Sequence, residues 1–528
     1  MQLPEVLRRL RLKDAYHLFG RRLGTWRESE KVYDPDRHGI LVTPDLPPGY
    51  EVVDVYWVER GLSLVCIAMN QKNRQNEYIL FEPPLSSFDR DVLLLNEEEI
   101  RGDKRRILLS LVEELLGEYG ISVDLPSLFR LQYFLVRNFL GWSRIDALMK
   151  DPQIEDISCD GVKIPIFLYH RKYHNVKTNI VFDEDHLNSL AITLAQRSGK
   201  HISIGTPILD ATLPDGSRLQ LTFSKVVTSR GTSFSIRKFR EEPFTPIELL
   251  DHGTFPVDAM VYFWLAIENN KSLLFIGGTA SGKTTSLNAV SHFIPPLAKV
   301  VSIEDTREIT LERENWIASV TREAVIDGSS GVISMFDLLR AAMRQRPEYI
   351  IVGEVRGPEA QTLFQAMNTG HTTFSTLHAA DVDAAVHRLE NEPLAVPRNM
   401  LQALDIVSIQ ALIYRGTERV RRCQEIVEIM GLDQATQNIQ VNTVFSYDPV
   451  TDTFTYSGRS QVYNEIMASR GWSAETLEKE ILTRGKILLA MRDQGMKDYH
   501  DVSQVIQAYA IKPDEVMANL GDLRKMMG

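Results

Sequence analysis

The segment best suited to chemistry is a short glycine-rich stretch in the middle of the chain. Residues 277–284 read GGTASGKT, and the apolar run KSLLFI precedes them. Glycine lets the backbone curl so that several N–H groups point at phosphate oxygens, while Lys283 adds a mobile positive charge and the Thr284 hydroxyl can bind Mg²⁺. The helix expected to start at Lys283 places its positive end below the same phosphates. We therefore predict a P-loop for a nucleoside triphosphate, with contacts from Gly277, Gly278, Thr279, Ala280, Ser281, Gly282, Lys283, Thr284 and Thr285.

Two carboxylates follow apolar runs farther along the chain. Glu304 comes directly after KVVSI, and Glu354 follows YIIV after a single glycine, Gly353. The carboxyl ends of parallel strands are where open α/β sheets bind ligands. An acid at such an end holds Mg²⁺ or orients water in phosphoryl transfer. Because Gly353 stands at the usual aspartate position, Glu354 is predicted to supply this carboxylate. For Glu304, a solvated acidic loop is the alternative.

A segment with two histidines comes next, TGHTTFSTLHAAD at residues 369–381. His371 and His378 are seven residues apart, which corresponds to about two helical turns or one long loop. Two histidines among Gly, Ser and Thr, just after the acid, favour phosphate sensing by His378. A purely structural role is the alternative.

Composition limits the class of protein. The chain has 528 residues, of which 44% are hydrophobic and 24% charged, as is usual for globular proteins of several domains. Its net charge of -11 argues against a dedicated nucleic-acid binder, which usually carries a basic stripe. No apolar run approaches the roughly 20 residues that span a bilayer. The three cysteines are far apart, which fits a reducing compartment and buried thiols.

Hydrophobic periodicity divides the chain into five segments. Apolar runs that alternate with amphipathic helices are typical of a parallel sheet, and short alternating runs are typical of antiparallel strands. The predicted segments are 1–85 with a small antiparallel sheet, 86–150 with helices that include ILLSLVEELLGEYG, 151–242 as an α+β domain, 247–420 as the P-loop core, and 421–528 as a β-meander followed by helices. In the last segment, Ser473 is expected to begin a helix and Gly495 to end one. The predicted fold class is α/β.

Together these motifs resemble a known family. GGTASGKTT, VVSIEDTRE, LRAAMRQRPEYIIVGEVRG and TGHTTFSTLHA occur in the order of the Walker A, Asp box, Walker B and His box motifs of the type II/type IV secretion ATPase superfamily. Upstream, DPQIEDISCDGVKIPIFLYH, AQRSGKHISIGTPILDATLPDGSRLQLTF and FSIRKF resemble its archaeal branch, which includes pilus, archaellum and secretion motors. The absence of a cysteine pair close enough for the zinc module of many bacterial relatives favours the same branch. The resemblance is most specific over residues 150–420.

The resemblance implies a RecA-like ATPase core that uses ATP and Mg²⁺. Lys283 and Thr284 would hold the phosphates and the metal ion. Glu354 resembles the catalytic glutamate of the family, and it would be the second residue to contact Mg²⁺. Glu304 resembles the Asp-box carboxylate beside the attacking water, and His378 resembles the histidine that contacts the γ-phosphate.

The resemblance also implies catalytic arginines in the α+β domain that precedes the core. Arg218, in DGSR, and Arg237, in FSIRKF, resemble arginines that this domain presents to the nucleotide. Strand alternation places each of them on a polar face of its own strand. Arg230 is the alternative in the same stretch.

At the level of assembly, the resemblance implies a ring-forming, cytoplasmic motor. We expect a homo-oligomer, with six subunits as the first expectation, at the inner face of the cell membrane. An integral-membrane platform protein would be its partner, and the work would drive assembly or rotation of a type IV pilus-like filament, or secretion. No nucleic-acid partner is expected.

Two other functions remain open on the sequence. A RecA-like core also serves nucleic-acid translocases, although the acidic balance and the lack of an aromatic and basic stripe count against one. A nucleotide-switched binding module with negligible turnover is the second. The pairing of Glu304 with Glu354 favours hydrolysis over such a switch.

Overall fold

The computed structural model describes residues 33–84, 108–109, 123–239, 242–322, 332–415, 418–433 and 438–526. The chain separates into two compact units, residues 1–239 and residues 240–528. Each unit is built on its own β-sheet. The core of each unit lies between its sheet and the helices that pack on it.

The described part of the first unit contains one sheet of nine strands. In chain order these are β1 (Tyr50–Glu59), β2 (Ser63–Asn70), β3 (Gln75–Phe81), β4 (Ile154–Cys159), β5 (Pro165–His170), β6 (His174–Val181), β7 (Ile208–Thr212), β8 (Arg218–Thr222) and β9 (Ser233–Arg237). Their order across the sheet is β1-β2-β3-β6-β5-β4-β9-β8-β7. All neighbours are antiparallel except β3 and β6, which are parallel.

The antiparallel strands predicted for residues 50–82 are present as β1 to β3, but they do not form a separate sheet. β3 continues into the rest of the unit, because Glu77 pairs with Lys177 and Tyr78 with Thr178. A buried carboxylate fastens the junction, since Asp151 Oδ2 accepts hydrogen bonds of 2.8 Å from the hydroxyls of Tyr56 and Tyr78. The first and third predicted segments therefore share one sheet, and the five-part division of the chain stays a prediction.

The described part of the first unit contains the helices α1 (Pro35–His38), α2 (Leu125–Leu135), α3 (Asp146–Lys150) and α4 (Glu184–Arg197). Buried side chains of α3 and α4 belong to the same core as those of the strands. α4 forms where the sequence predicts a helix, and the Asp183 side chain caps it by accepting from the backbone N–H of His186. The predicted helix ILLSLVEELLGEYG, residues 107–120, falls almost wholly outside the described residues.

The second unit also has a nine-stranded sheet in its described part. Its strands are β10 (Leu273–Gly277), β11 (Val300–Glu304), β12 (Trp316–Val320), β13 (Tyr349–Val352), β14 (Thr372–Leu377), β15 (Ile406–Arg415), β16 (Glu418–Leu432), β17 (Ile439–Asp448) and β18 (Thr453–Tyr456). They lie in the order β12-β11-β13-β14-β10-β15-β16-β17-β18. β10 to β15 are mutually parallel, which confirms the predicted α/β core, whereas β15 to β18 are antiparallel.

The predicted β-meander is present but extends the core sheet. β16 pairs along almost the whole length of β15, so the strands of residues 418–456 form one edge of the RecA-like sheet. Burial fits this continuity, because Ile426, Val444 and Phe445 are fully or almost fully buried and belong to the large core of the same unit. The fold class predicted from the sequence is confirmed, with this continuity as the difference.

The helices of the second unit lie around this sheet. They are α5 (Pro246–Asp251), α6 (Val257–Glu268), α7 (Lys283–Val290), α8 (Met335–Met343), α9 (Glu359–Asn368), α10 (Val382–Glu390), α11 (Arg398–Leu401), α12 (Gln461–Arg470), α13 (Ala474–Asp493), α14 (Tyr499–Ile511) and α15 (Pro513–Ala518). The Ser473 side chain caps α13, and Gly495, with a φ of 64°, follows its end, as predicted. Among the described helices, none combines the length and apolar character that crossing a membrane requires.

A buried carboxylate joins the meander to the C-terminal helices. Glu428 of β16 is 1% exposed, and its two oxygens accept five hydrogen bonds. The donors are the side chains of Tyr262, Asn442 and Ser460 and the backbone N–H groups of Gln461 and Val462. Because these groups come from α6, β17 and the start of α12, one side chain fixes three elements together.

Candidate active site

The P-loop connects the central strand β10 to α7. Gly277 ends β10 with a φ of 150°, and a Cβ atom there would lie 2.2 Å from the carbonyl oxygen of Gln410. Only glycine avoids this contact. Gly282, with a φ of 93°, is the N-cap of α7, and the Ser281 hydroxyl donates to the carbonyl oxygen of Gly278 at 2.9 Å. The neighbouring strand β15, which contains Gln410, therefore requires glycine at position 277 independently of any ligand.

Lys283 begins α7 and turns its side chain into the loop. Its Nζ donates to the carbonyl oxygens of Gly277, at 3.0 Å, and Gly278, at 2.8 Å. Burial lowers the pKa of this ammonium, and the negative charge of Glu354 opposes the effect. Nζ also lies 3.4 Å from Nδ1 of His378, so the lysine connects the loop to the neighbouring strand.

His378 lies directly after β14 and connects the lysine to the carboxylate of Glu354. Its Nε2 is 3.3 Å from Glu354 Oε1. Burial and the charge of Lys283 hold the pKa of this imidazole below its ordinary value, which favours the neutral ring at neutral pH. Since the lysine can only donate, its partner Nδ1 is the acceptor and the proton is assigned to Nε2, toward Glu354.

Glu354 lies one residue beyond Gly353, at the end of β13, and is ionised near neutral pH. Burial favours the neutral acid, but a 2.6 Å hydrogen bond from Arg356 and the nearby charge of Lys283 hold the pKa of this carboxyl below its ordinary value. Arg356 is not among the residues predicted from the sequence. Its signal there is weak, a basic residue two positions after the acid in GEVRG.

Glu304 ends β11 and is 2% exposed, so the alternative of a solvated loop does not hold. Its Oε1 accepts from the backbone N–H groups of Glu308 and Ile309, both at 2.9 Å. Oε2 is buried and has no hydrogen-bond partner among the described residues. Burial raises the pKa of this carboxyl to about 8. The two acids of the site therefore differ in charge at neutral pH.

Gly353 explains why the acid of β13 is displaced by one residue. A Cβ atom at this position would lie 3.2 Å from Cγ of Glu304, which is tighter than an ordinary contact. The glycine thus leaves room for the neighbouring carboxylate.

His371 lies away from this group. It precedes β14, whereas His378 follows it, so the two histidines are separated by a six-residue strand, about 20 Å. The sequence-based expectation of two helical turns or one loop is wrong, because all six residues between them are buried in the central sheet. His371 contacts Thr369 at 3.2 Å, consistent with a local structural role.

The two predicted arginines lie side by side in the first unit. Arg218 of β8 and Arg237 of β9 are directly paired across the strands, so both point to the same face of the sheet. Arg237 Nε donates to Asp156 Oδ1 of β4 at 3.0 Å. Arg230 lies apart from this pair, in the turn before β9, where its carbonyl oxygen accepts from Val162. Like charges directly opposite each other on paired strands repel, and the Asp156 carboxylate offsets part of this repulsion at Arg237.

The residues predicted to bind Mg²⁺ fit that ion. Glu354 offers an ionised carboxylate whose Oε1 has His378 Nε2 at 3.3 Å but forms no hydrogen bond of good geometry with the described residues. Thr284 stands half-buried in the first turn of α7 with a hydroxyl oxygen. Hard oxygen ligands of this kind are those that Mg²⁺ prefers, together with substrate phosphates. No group of three or more His, Cys, Asp or Glu side chains in the described ranges could hold a metal ion alone.

Comparison with known proteins places the chain in a family. A family model described as Type II/IV secretion system protein matches residues 175–511, and one described as PilB3-like, N-terminal matches residues 17–84. The chain is 37% identical to an uncharacterized protein of Methanocaldococcus jannaschii over 382 residues, and this aligned region covers 71% of this chain and 69% of that protein. It is 33% identical over 250 residues to the type IV secretion system protein PtlH of Bordetella pertussis, which covers 43% of this chain and 73% of PtlH.

Solved structures give a weaker likeness. The pilus retraction motor PilT with bound ADP is 18% identical, with a TM-score of 0.37, over 67% of this chain and 93% of that one. The VirB11 ATPase from the Brucella suis type IV secretion system is 23% identical, with a TM-score of 0.28, over 52% of this chain and 89% of that one. The family model, however, matches more than half of the chain and includes the P-loop, both acids and His378. The chain belongs to the type II/IV secretion system ATPase family.

Proposed function

We propose that this chain hydrolyses ATP at the P-loop of its RecA-like unit. The observation that carries the proposal is the position of His378, 3.4 Å from Lys283 Nζ and 3.3 Å from Glu354 Oε1. A cation for the phosphates, a neutral histidine and an ionised carboxylate thus meet beside the loop. Phosphoryl transfer to water needs neutralisation of charge and a positioned nucleophile, and these groups are suited to both.

Each residue has a role that follows from its surroundings. Lys283 would exchange its bonds to the loop carbonyls for phosphate oxygens. Thr284 and Glu354 would hold Mg²⁺, which supplies positive charge against the phosphates when bound. Glu354 also polarises the attacking water. Glu304, with a pKa of about 8, is mainly protonated at neutral pH and can pass or take a proton close to the operating pH.

Two substitutions test the chemistry. Lys283→Ala should abolish most nucleotide affinity, because the charge that faces the phosphates is lost. Glu354→Gln should bind ATP but lose turnover, since an amide neither accepts a proton nor polarises water as strongly. ATP binding is measured by calorimetry and hydrolysis by phosphate release. Glu314→Gln, at an exposed position of the same unit, is the matched control and should behave as wild type.

The same assays separate the other two functions. Wild-type turnover that requires added DNA would favour a nucleic-acid translocase. Wild type that binds ATP without releasing phosphate would favour a nucleotide-switched module. Hydrolysis by Glu354→Gln at the wild-type rate would overturn the assignment of the catalytic carboxylate.

We further propose that the chain works as a cytoplasmic ring, with six subunits as the working number, at the inner face of the membrane. A membrane platform protein is its proposed partner, and a pilus-like filament, an archaellum or a secretion apparatus its proposed load. Membership of the secretion ATPase family supports this proposal. Arg218 and Arg237 are assigned to the same reaction on their pairing and on the family resemblance, so alanine at either should slow turnover more than it weakens ATP binding.

A titration tests the ring. Wild type is mixed with increasing amounts of Glu354→Gln, and oligomeric state is followed by light scattering. In a ring whose subunits are coupled, activity should fall by more than simple dilution. A strictly linear fall, from a protein that stays monomeric with ATP, would refute the ring while leaving the ATPase activity in place.

A further inference from the structure

A basic side chain outside the motifs contacts the tip of the P-loop. Arg421 lies on β16, in the antiparallel edge of the sheet, and its Nε donates to the carbonyl oxygen of Ala280 at 3.0 Å. Its aliphatic stem packs against the loop as well, because a Cβ atom at Gly282 would lie 3.3 Å from Cδ of Arg421. The arginine therefore touches both sides of the loop's last turn.

The residue that it holds is conformationally strained. Ala280 has a φ of 59°, in the left-handed region that residues with a Cβ atom seldom occupy. Such a conformation persists only where the surroundings impose it. The hydrogen bond from Arg421 is one such constraint, and it comes from a paired strand, since Arg421 lies opposite Leu412 of β15. A side chain on a rigid strand fixes the loop better than one on a mobile turn would.

The sheet order indicates which part of the nucleotide Arg421 faces. Glu304, Glu354 and His378 follow β11, β13 and β14, on one side of the P-loop strand β10. β15 and β16 lie on the other side. The γ-phosphate belongs with the catalytic groups, so Arg421 stands on the side of the α-phosphate and the nucleoside. Apart from the bond to Ala280, its guanidinium forms no hydrogen bond or ion pair with the residues described, which leaves its terminal nitrogens available to an anion.

We propose that Arg421 is a nucleotide-positioning residue, which holds the P-loop in its binding conformation and strengthens binding of the diphosphate part of ATP and ADP alike. The inference rests on the proposed function, because it requires that the P-loop binds a nucleotide. Within the RecA-like unit, it adds a residue from the antiparallel part of the sheet to groups that follow the parallel strands.

Arg419 provides a matched control. It is two residues from Arg421 on the same strand, and therefore on the same face, and it is exposed. Its Nε donates to the hydroxyl of Tyr414 at 2.9 Å and not to the P-loop. Alanine at either position removes the same side chain and the same charge, so a general electrostatic effect would affect both variants.

The test is calorimetric titration of the full chain with ADP and with the non-hydrolysable analogue AMPPNP. Arg421→Ala should weaken both ligands by the same factor, about tenfold, as expected for one charge-assisted hydrogen bond. Arg421→Lys should recover part of the loss, because an ammonium can still donate to the Ala280 carbonyl. Arg419→Ala should bind as wild type, and the melting temperature of nucleotide-free Arg421→Ala should stay within about 2 °C of wild type.

Any of four results would overturn the inference. Three concern affinity alone: unchanged affinity in Arg421→Ala, a loss restricted to AMPPNP, and an equal loss in Arg419→Ala. A fall in affinity that follows a large fall in melting temperature, without recovery in Arg421→Lys, would assign the residue to general stability and also count against it. Failure of the proposed function is distinct, since wild type itself would then bind neither ligand.

Discussion

Replacing Glu304 by glutamine should change how the stability of the RecA-like unit depends on pH. Glu304 is 2% exposed, and burial raises the pKa of its carboxyl from 4.5 to about 8. A folded-state pKa above the unfolded value means that the folded protein binds the proton more tightly. The contribution to stability is therefore fully present below pH 4.5 and is lost as the pH rises toward 8. Glutamine has nearly the same size and does not titrate, so the variant lacks this dependence.

The magnitude follows from the two pKa values. At about 1.4 kcal/mol for each pKa unit, their difference corresponds to roughly 5 kcal/mol of unfolding free energy. Because titration begins below pH 5, about 4 kcal/mol of this should be lost between pH 5 and pH 9. For a unit of this size, 1 kcal/mol corresponds to about 2 °C in Tm. Between pH 5 and pH 9, the Tm of wild type should therefore fall by about 8 °C more than the Tm of Glu304→Gln.

The assay is differential scanning calorimetry of both proteins at unit steps of pH from 5 to 9, without nucleotide and with a chelator. The transition of the RecA-like unit is identified as the one that ADP shifts upward. Glu354→Gln is the matched control, because the pKa of Glu354 lies below its ordinary value. Its stabilising contribution is present above the unfolded pKa and lost only as the pH falls through the folded one. The gap between Glu354→Gln and wild type should thus stay constant from pH 5 to pH 9.

The outcome that refutes the reasoning is a flat difference between Glu304→Gln and wild type across the range. It would mean that Glu304 is ionised in the folded protein at neutral pH. The site would then hold two negative carboxylates, and the proposed division of roles between Glu304 and Glu354 would fail.

Two further predictions concern packing. Gly277→Ala should lower Tm by several degrees, because its Cβ would lie 2.2 Å from the Gln410 carbonyl oxygen and overpacking costs about 1–3 kcal/mol of stability. Its control is Gly278→Ala, whose Cβ would meet nothing within 4 Å and which should melt as wild type. Glu428→Gln should lower the free energy of unfolding by about 2–4 kcal/mol, because its amide NH₂ would face hydrogen-bond donors that now contact a carboxylate. Its control, Glu425→Gln on the same strand, should melt at the wild-type temperature. Equal melting of either variant and its control would contradict the corresponding argument.

The sequence by itself determined the parts of this protein that are continuous along the chain. GGTASGKT contains the glycines, Lys283 and Thr284 in one stretch, so the loop and the start of α7 follow from local conformational preferences. The acids at Glu304 and Glu354 were predictable for the same reason, because an apolar run fixes where a strand ends. The parallel core, the capped α13 and the family resemblance rest on patterns of this local kind.

Only the tertiary structure decided what depends on groups far apart in sequence. The opposite pKa directions of Glu304 and Glu354 come from burial and from Arg356 and Lys283, which no spacing rule encodes. The contact of Arg421 with the P-loop spans 141 positions along the chain. Strand pairing likewise joined segments that the sequence separates: β1 to β3 share a sheet with β4 to β9, and β16 to β18 extend the sheet of the P-loop core. Backbone hydrogen bonds form between any strands whose edges meet, whatever their distance along the chain. Local pattern fixes which element a residue occupies, whereas burial and charge at the site depend on which elements become neighbours.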